Sequence, residues 1–355
     1  MHRIPSILVA TDGTVLGFAD RRVGSRADWG HRTDVVVRRS TDGGESWFPA
    51  QTLFGEDGVC AHGGPALVDR RTGRVFKFFR KFPAEFRNRA DVVAATAKPQ
   101  QREKWLDWGA GSYVVRSDDH GRTWTRPERL VIEHPRIQDI PVVGNGIHGV
   151  QLEDGTLVVQ GGGGMQKEFV RGEPDSQLSF LLLSTDGGAT WERGAEWVVD
   201  GACREYVLTR LGGGRIYVNQ RAPDCRLVAW LEGPRDASVR LQPDRKLVDP
   251  YCHAGGIMLE QMIDGRSVML FSNPPVKSPK PGRYYPEGRR ELTVRMSLDE
   301  GKSWPVAKRL EPGLSGYSDL AAGPDGTIYC IYETGEEFYA EDIAVARFQL
   351  DRLRI

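Results

Sequence analysis

Four octapeptides crowd carboxylates, hydroxyls and an indole into eight residues each: STDGGESW (40–47), SDDHGRTW (117–124), STDGGATW (184–191) and SLDEGKSW (297–304). Such a set could line a ligand site or could simply close a turn. The D-x-D-G spacing of a calcium loop is not met, which argues against a metal. The turn reading fits better, because Ser and Asp side chains bond nearby backbone N–H groups and Gly supplies positive φ. The Trp is expected to pack back on its own hairpin. Other groups able to do chemistry sit in RIPS (3–6), FADRRVGSRADWGHRTDVVVRRS (18–40), CREYVLTRLGGGRIYVNQR (203–221), RRELTVRMSLDEGKSW (289–304) and SGYSDLAAGPDGTIYCIYE (315–333). Guanidinium suits bidentate carboxylate binding and stays charged at any working pH. Taken singly, each stretch also has a plain reading: a solvated Arg, a surface Glu with a hairpin Arg, an aromatic plug in a turn.

The elements that must position these groups are strands. Each octapeptide follows a short β-rich run: DVVVRR, SYVVR, LSFLLL and ELTVRM. A second unit, a turn followed by a strand, recurs as TDGTVLGF (11–18), RTGRVFKFF (71–79), EDGTLVVQ (153–160), GGGRIYVN (212–219) and PDGTIYCIY (324–332). Both units run the full length, which predicts an all-β radial array of small sheets, a β-propeller. At roughly 60 residues per blade the 355 residues make six blades in a single domain over 1–355. The octapeptides start 77, 67 and 113 residues apart, one blade each for the first two steps and a skipped box in the third. The Pro-rich segment NPPVKSPKPGRYYPEGRR (273–290) reads as an extended loop within a blade.

Composition narrows the function classes. Lys+Arg and Asp+Glu balance at 48 each, so nothing in the charge recruits nucleic acid or an anionic membrane. The five cysteines (Cys60, Cys203, Cys225, Cys252 and Cys330) are widely spaced without CxxC, so free thiols are expected rather than a zinc site or disulfide framework. No run of 18 apolar residues exists. The N-terminal MHRIPSILVATDG lacks a cationic region followed by an apolar one, so no signal peptide is expected and a cytoplasmic location follows. Secretion is the alternative if the N-terminus is truncated.

The octapeptides match the Asp-box pattern S-x-D-x-G-x-T-W, with Ser for Thr in the first and last. Here the chain resembles the exo-α-sialidases (neuraminidases) of the bacterial and animal type. The resemblance extends to five further motifs in the family's order: RIP, a loop Asp, Glu…NxR, R-x-x-L-T-V and YSDL. It implies a carboxylate clamp of Arg3, Arg221 and Arg289, with Glu333 orienting Arg3. Arg290 is the neighbouring alternative to Arg289, since a one-residue slip reverses a side chain; Arg295 is assigned to the strand before the last box. It implies Tyr317 as covalent nucleophile, Glu205 as its base and Asp28 as the acid/base, with Arg22 touching substrate. Asp20 and Asp34 compete with Asp28, but a loop residue reaches over a central pocket more readily. Where family members often have Gln–Gly–Ser after a Cys, this chain has CHAGG (252–256), which places His253 toward the glycerol or acyl end of the sugar.

The implied reaction is retaining hydrolysis of a terminal α-ketoside through a tyrosyl intermediate, a known exception to the two-carboxylate rule. A carboxylate nucleophile would meet the carboxylate on the anomeric carbon; a neutral Tyr avoids that repulsion. A phenol titrates near 10, so it needs a base at neutral pH. The implied partner is a sialylated glycan or a glycoside of a related 2-keto sugar acid such as Kdn or Kdo. The reaction requires no metal or organic cofactor. A non-catalytic Asp-box propeller that binds glycans or proteins is the reading from another class, and a binder would have no need for a base beside its tyrosine. Oligomeric state is not readable.

Overall fold

The computed structural model describes residues 1–96, 99–137, 140–144, 147–164, 177–199, 205–277, 279 and 286–353. Its strands run in chain order around a ring of six antiparallel sheets. The first blade is β1 (His2–Val9), β2 (Val15–Arg22), β3 (Thr33–Ser40) and β4 (Gln51–Phe54). The second is β5 (Val59–Val68), β6 (Val75–Pro83), β7 (Gly111–Ser117) and β8 (Glu128–Leu130), and a single parallel bridge, Thr33 to Cys60, ties it to the first. The third opens on a broken inner strand, β9 (Val142–Val143) and β10 (Val150–Gln151), then β11 (Leu157–Gly164), β12 (Gln177–Ser184) and β13 (Glu192–Val199). The fourth holds β14 (Tyr206–Arg210), β15 (Ile216–Gln220), β16 (Pro223–Leu231) and β17 (Gln242–Pro250). The fifth holds β18 (Gly255–Ile263), β19 (Arg266–Asn273), β20 (Thr293–Ser297) and β21 (Val306–Arg309), and the sixth β22 (Leu314–Ala322), β23 (Ile328–Gly335) and β24 (Asp342–Phe348).

The innermost strands touch in sequence, β1 to β5, β5 to β10, β10 to β14, β14 to β18, β18 to β22, and β22 back to β1. The ring therefore closes by packing between blades six and one, where Ile7 and Val15 meet Ala321, Tyr329 and Ile331. No strand is exchanged across that seam among the described residues. Burial follows position in the blade. Inner β5 is buried at all ten residues, whereas outer β21 is mostly exposed. The strand after each Asp-Gly turn is the second of its blade; Thr14, Thr156 and Thr327 donate their N–H to Asp12, Asp154 and Asp325 at 2.8–3.0 Å to close three of these turns.

The four boxes link the third and fourth strands of blades one, two, three and five. In each, the Ser hydroxyl donates to the Asp at 2.7–2.8 Å and accepts the Gly N–H at 2.8 Å. Hydrogen bonds from the Thr190 hydroxyl and N–H hold Asp186 down at about 2. The fourth blade carries no box in its outer turn, which accounts for the 113-residue step. The box Trp does not fold back on its own hairpin alone. Trp124 sets its edge on Phe18 of the preceding blade, at 6.0 Å between centroids, and Trp191 reaches Phe78 of the preceding blade at 5.2 Å. Tertiary packing redirects the indole because the blade-to-blade surface offers more apolar area than one hairpin does.

The box glycine makes this approach possible. Gly188 has φ +85°, and a Cβ there would lie 2.5 Å from the Phe76 ring. Gly188→Ala is expected to cost about 1–3 kcal/mol of stability from strain and overlap. The check is a shift of the urea midpoint at constant slope, with the KM for substrate unchanged.

Two short helices, α1 (Arg89–Thr96) and α2 (Pro99–Trp108), interrupt blade two between β6 and β7, where the strand repeat anticipates none. Phe86, Val92 and Trp105 fasten them to Phe82 and Trp29. Cys60, Cys225, Cys252 and Cys330 are free thiols, and Cys225 is only half-buried. Cys203 and residues 278 and 280–285 of the loop expected over 273–290 lie outside the described residues; the described part includes a 3₁₀ turn at Pro286–Gly288.

Candidate active site

A cavity of about 180 Å³ opens on the propeller axis, with Ile4, Arg22, Asp28, Trp29, Glu205 and Tyr317 in its wall. Three inner strands lose register beside it: β1 between Arg3 and Ser6, β5 between Gly63 and Ala66, and β22 between Ser315 and Ser318. Bulges re-aim side chains that a regular ladder would point along the sheet. Ile4 adopts φ +57°, rare for a β-branched residue, and Pro5 follows with no N–H to leave unpaired. That is what RIP does: it turns Arg3 inward.

Glu333, fully buried on β23, gathers the bulges of β1 and β22. It accepts from Arg3 Nε at 2.5 Å, from Ile4 N–H at 3.0 Å and from Tyr317 N–H at 3.0 Å. Burial opposes the Arg3 charge, but the Glu333 carboxylate overrides it and holds the guanidinium more firmly charged than usual. A side chain at Gly316 would strike Glu333 Oε2 at 2.4 Å, so the residue before Tyr317 must be small.

Glu205 precedes β14 and Arg221 follows β15, and the Arg221 N–H donates to the Glu205 carbonyl at 2.9 Å. That pairing sets the two side chains together, with Arg221 Nη1 bonded to the Glu205 carboxylate and 2.7 Å from the Tyr317 hydroxyl. The Tyr317 hydroxyl lies 3.0 Å from both Glu205 oxygens. Arg289 donates to the Tyr251 carbonyl at 3.1 Å. Around the Tyr317 ring stand the guanidiniums of Arg289 at 5.3 Å, Arg3 at 5.7 Å and Arg221 at 5.7 Å. Arg290 is exposed and bridges to Leu314, so Arg289 is the inward member of the pair. Arg295 bonds Asn273 from within β20.

Asp28 rides the loop between β2 and β3 at the cavity mouth, its side chain 66% exposed and paired with Arg22. Arg22 also donates to the Arg26 carbonyl at 2.8 Å, so it braces the loop from below. Of the competing carboxylates, Asp34 is fully buried, and although burial pushes its carboxyl up, the bonds from Arg32 and Arg21 win and hold it below the usual range, away from the cavity wall. Asp20 is in the wall. It accepts the Gly63 N–H at 2.7 Å, and burial pushes it up to about 6 against the Gly63 bond and the charges of Arg22 and Lys77. Among the described residues its Oδ2 has no hydrogen-bond partner; it lies 4.0 Å from His62, which burial and the charges of Arg80 and Arg22 keep neutral.

His253 departs from the expected sugar contact. It is fully buried, edge-on to Tyr317 at 5.4 Å, and accepts the Ala254 N–H at 2.9 Å. The turn before β18 folds inward and places it behind the tyrosine, out of the cavity wall. Tyr339, Tyr251, His62 and Trp29 were not anticipated. Tyr339 lies under both Arg289 and Arg3, at 4.7 and 5.4 Å, and Trp29 packs against His62 at 4.5 Å with the rings tilted by 56°. The W after Asp28 in RADWG was the one available signal among these.

Fold and site together define a six-bladed propeller with a buried tyrosine–glutamate pair ringed by three arginines at its axis. The sequence signature of the BNR repeat-like domain matches residues 18–330, and the chain belongs to that family. The likeness to Asp-box sialidases read from the motifs holds across curated relatives. A sialidase of Micromonospora viridifaciens is 29% identical over 345 residues, 94% of this chain and 50% of that protein. An exo-alpha-sialidase of Aspergillus fumigatus is 26% identical over 345 residues, covering 94% of this chain and 76% of the relative. Among solved structures, the Hadza microbial sialidase Hz136 superposes with a TM-score of 0.80 at 24% identity, over 99% of this chain and 66% of that one. The leech intramolecular trans-sialidase superposes at 0.79 and 17% identity, over 99% and 68%. The chain spans 50 and 60% of the length of two of its curated bacterial relatives.

Proposed function

We propose that the chain is a retaining exo-α-sialidase, with residues 1–355 working as one catalytic domain on terminal α-ketosidic sialic acid of a glycoconjugate. The observation that carries this reading is the Tyr317 hydroxyl seated on the Glu205 carboxylate within the arginine ring. A ligand whose reacting carbon bears a carboxylate fits that ring. Its carboxylate would take the fork-shaped donors of Arg3, Arg221 and Arg289, bringing the anomeric carbon over the phenol oxygen.

In the first step the phenol oxygen bonds to the anomeric carbon as the glycosidic bond breaks. Glu205 takes the phenol proton and Asp28 delivers one to the departing oxygen. In the second step water attacks the same carbon, Asp28 takes its proton, and the tyrosyl oxygen leaves and recovers its proton from Glu205. Two displacements retain the anomeric configuration. Relatives bearing the sialidase name support the substrate class.

The experiment is hydrolysis of fluorogenic α-ketosides of N-acetylneuraminic acid, Kdn and Kdo, with the first-formed anomer followed by NMR. Release of the α-anomer from N-acetylneuraminic acid is expected. Preference for Kdn or Kdo would reassign the sugar. No release from any of the three by folded protein would sink the reading in favour of a glycan-binding propeller.

A further inference from the structure

The turn between β17 and β18 touches the site at three points, and the reaction above assigns it no role. Tyr251 holds φ +64°, a conformation an aromatic residue rarely adopts. Its ring lies against the Arg221 guanidinium, 4.2 Å from ring centre to carbon, and its carbonyl accepts from Arg289 at 3.1 Å. Two residues on, His253 backs the Tyr317 ring. One turn thus meets two clamp arginines and the nucleophile.

The turn is pinned from beneath by fully buried groups. Arg226 donates to the Cys252 carbonyl at 2.8 Å and pairs with Asp249 at 3.0 Å, and Asp249 accepts the Cys252 N–H at 2.6 Å. Asn273 donates to the Val248 carbonyl at 2.8 Å. Backbone strain survives only where surroundings over-determine it, and such sites cluster where geometry matters for function. An ordinary extended Tyr251 would turn its ring or its carbonyl away, so the strained φ is what lets one residue serve both arginines.

We infer that Tyr251 is a positioning residue that presets Arg221 and Arg289 for the substrate carboxylate, its ring facing the first and its carbonyl the second. This inference rests on the clamp reading proposed above. Arginines held before substrate arrives lose less side-chain freedom on binding, so the gain falls on affinity for ground and transition states alike. It should therefore appear in KM.

The test compares Tyr251→Phe, Tyr251→Ala and Tyr251→Gly by steady-state kinetics on the released ketoside, with thermal melts and calorimetric binding of N-acetylneuraminic acid. The phenyl variant keeps ring and carbonyl and should stay within about twofold of wild type. The alanine and glycine variants should raise KM by about ten- to thirtyfold with kcat changed less. Glycine relieves the positive φ, so its melting temperature should equal or exceed that of alanine while its KM stays high. If glycine restores both stability and KM, the ring is merely structural and the inference fails. Unchanged KM in both small variants, with active wild type, overturns it while leaving the sialidase reading intact. A folded wild type that neither cleaves nor binds any sugar acid overturns both.

Discussion

Tyr317→Phe should abolish release of sugar from natural ketosides, lowering kcat by at least about a thousandfold. The substitution removes one oxygen and leaves the ring, so the packing against His253 and the three guanidiniums persists. Glu205 keeps Arg221 as a partner. Losing the hydroxyl leaves part of a buried carboxylate unsatisfied, a cost of about 1–3 kcal/mol that a protein this size tolerates. The variant should therefore melt as a folded protein and still bind N-acetylneuraminic acid, because the carboxylate clamp is intact. Retained affinity with lost turnover is the expected pair of results. Activity within tenfold of wild type would mean that Glu205 or water attacks the sugar directly, and the covalent route would fall.

The second large effect concerns proton delivery. Asp28→Asn should slow cleavage of glycosides with alcohol leaving groups by about a hundred- to ten-thousandfold. An activated aryl leaving group departs as a stable anion and needs no proton, so its cleavage should fall much less. This dependence on the leaving group separates the acid from a merely structural carboxylate. Asp20→Asn is the control, since Asp20 also faces the cavity and burial pushes its carboxyl up to about 6. It should alter KM without any leaving-group dependence. If instead the dependence follows Asp20, the acid is the buried carboxylate and the exposed Asp28 serves to brace Arg22. A rate comparison across three aryl ketosides and one lactoside decides between them.

What was legible in the sequence was local. Asp-boxes and Asp-Gly hairpins close through bonds within four residues, so their repetition sets strand order, blade number and even the box skipped in the 113-residue step. The arginines, Glu205 and Tyr317 were legible through motif order. Arg289 could not be told from Arg290, because only the 3₁₀ turn at Pro286–Gly288 decides which one turns inward. The direction of the box Trp depends on the neighbouring blade, which no single hairpin encodes. His253 lay in a recognisable motif position, but the inward turn that buries it is set by Asp249, three residues before Cys252, together with Arg226, 26 residues before it. Asp20 stood out only as a rival of Asp28, and Tyr251 and Tyr339 carried no signal at all: each matters through a contact that exists only once the blades have met. The helices Arg89–Thr96 and Pro99–Trp108 were hidden by the strand repeat around them.

The seam between the first and last blades has a kinetic consequence. Arg3 and Glu333 are 330 residues apart, and Tyr317 is 112 residues from Glu205. Chains leave the ribosome N-terminus first at about 5–20 residues per second, so Arg3 emerges at least about 15 seconds before its partner. Until then its charge stays solvated and the pocket on the axis is incomplete, however well the early blades have folded. Contacts of such long range also slow the final closure. Regained activity after dilution from denaturant would accordingly lag behind regained β-sheet signal, and it would report the docking of blade six on blade one.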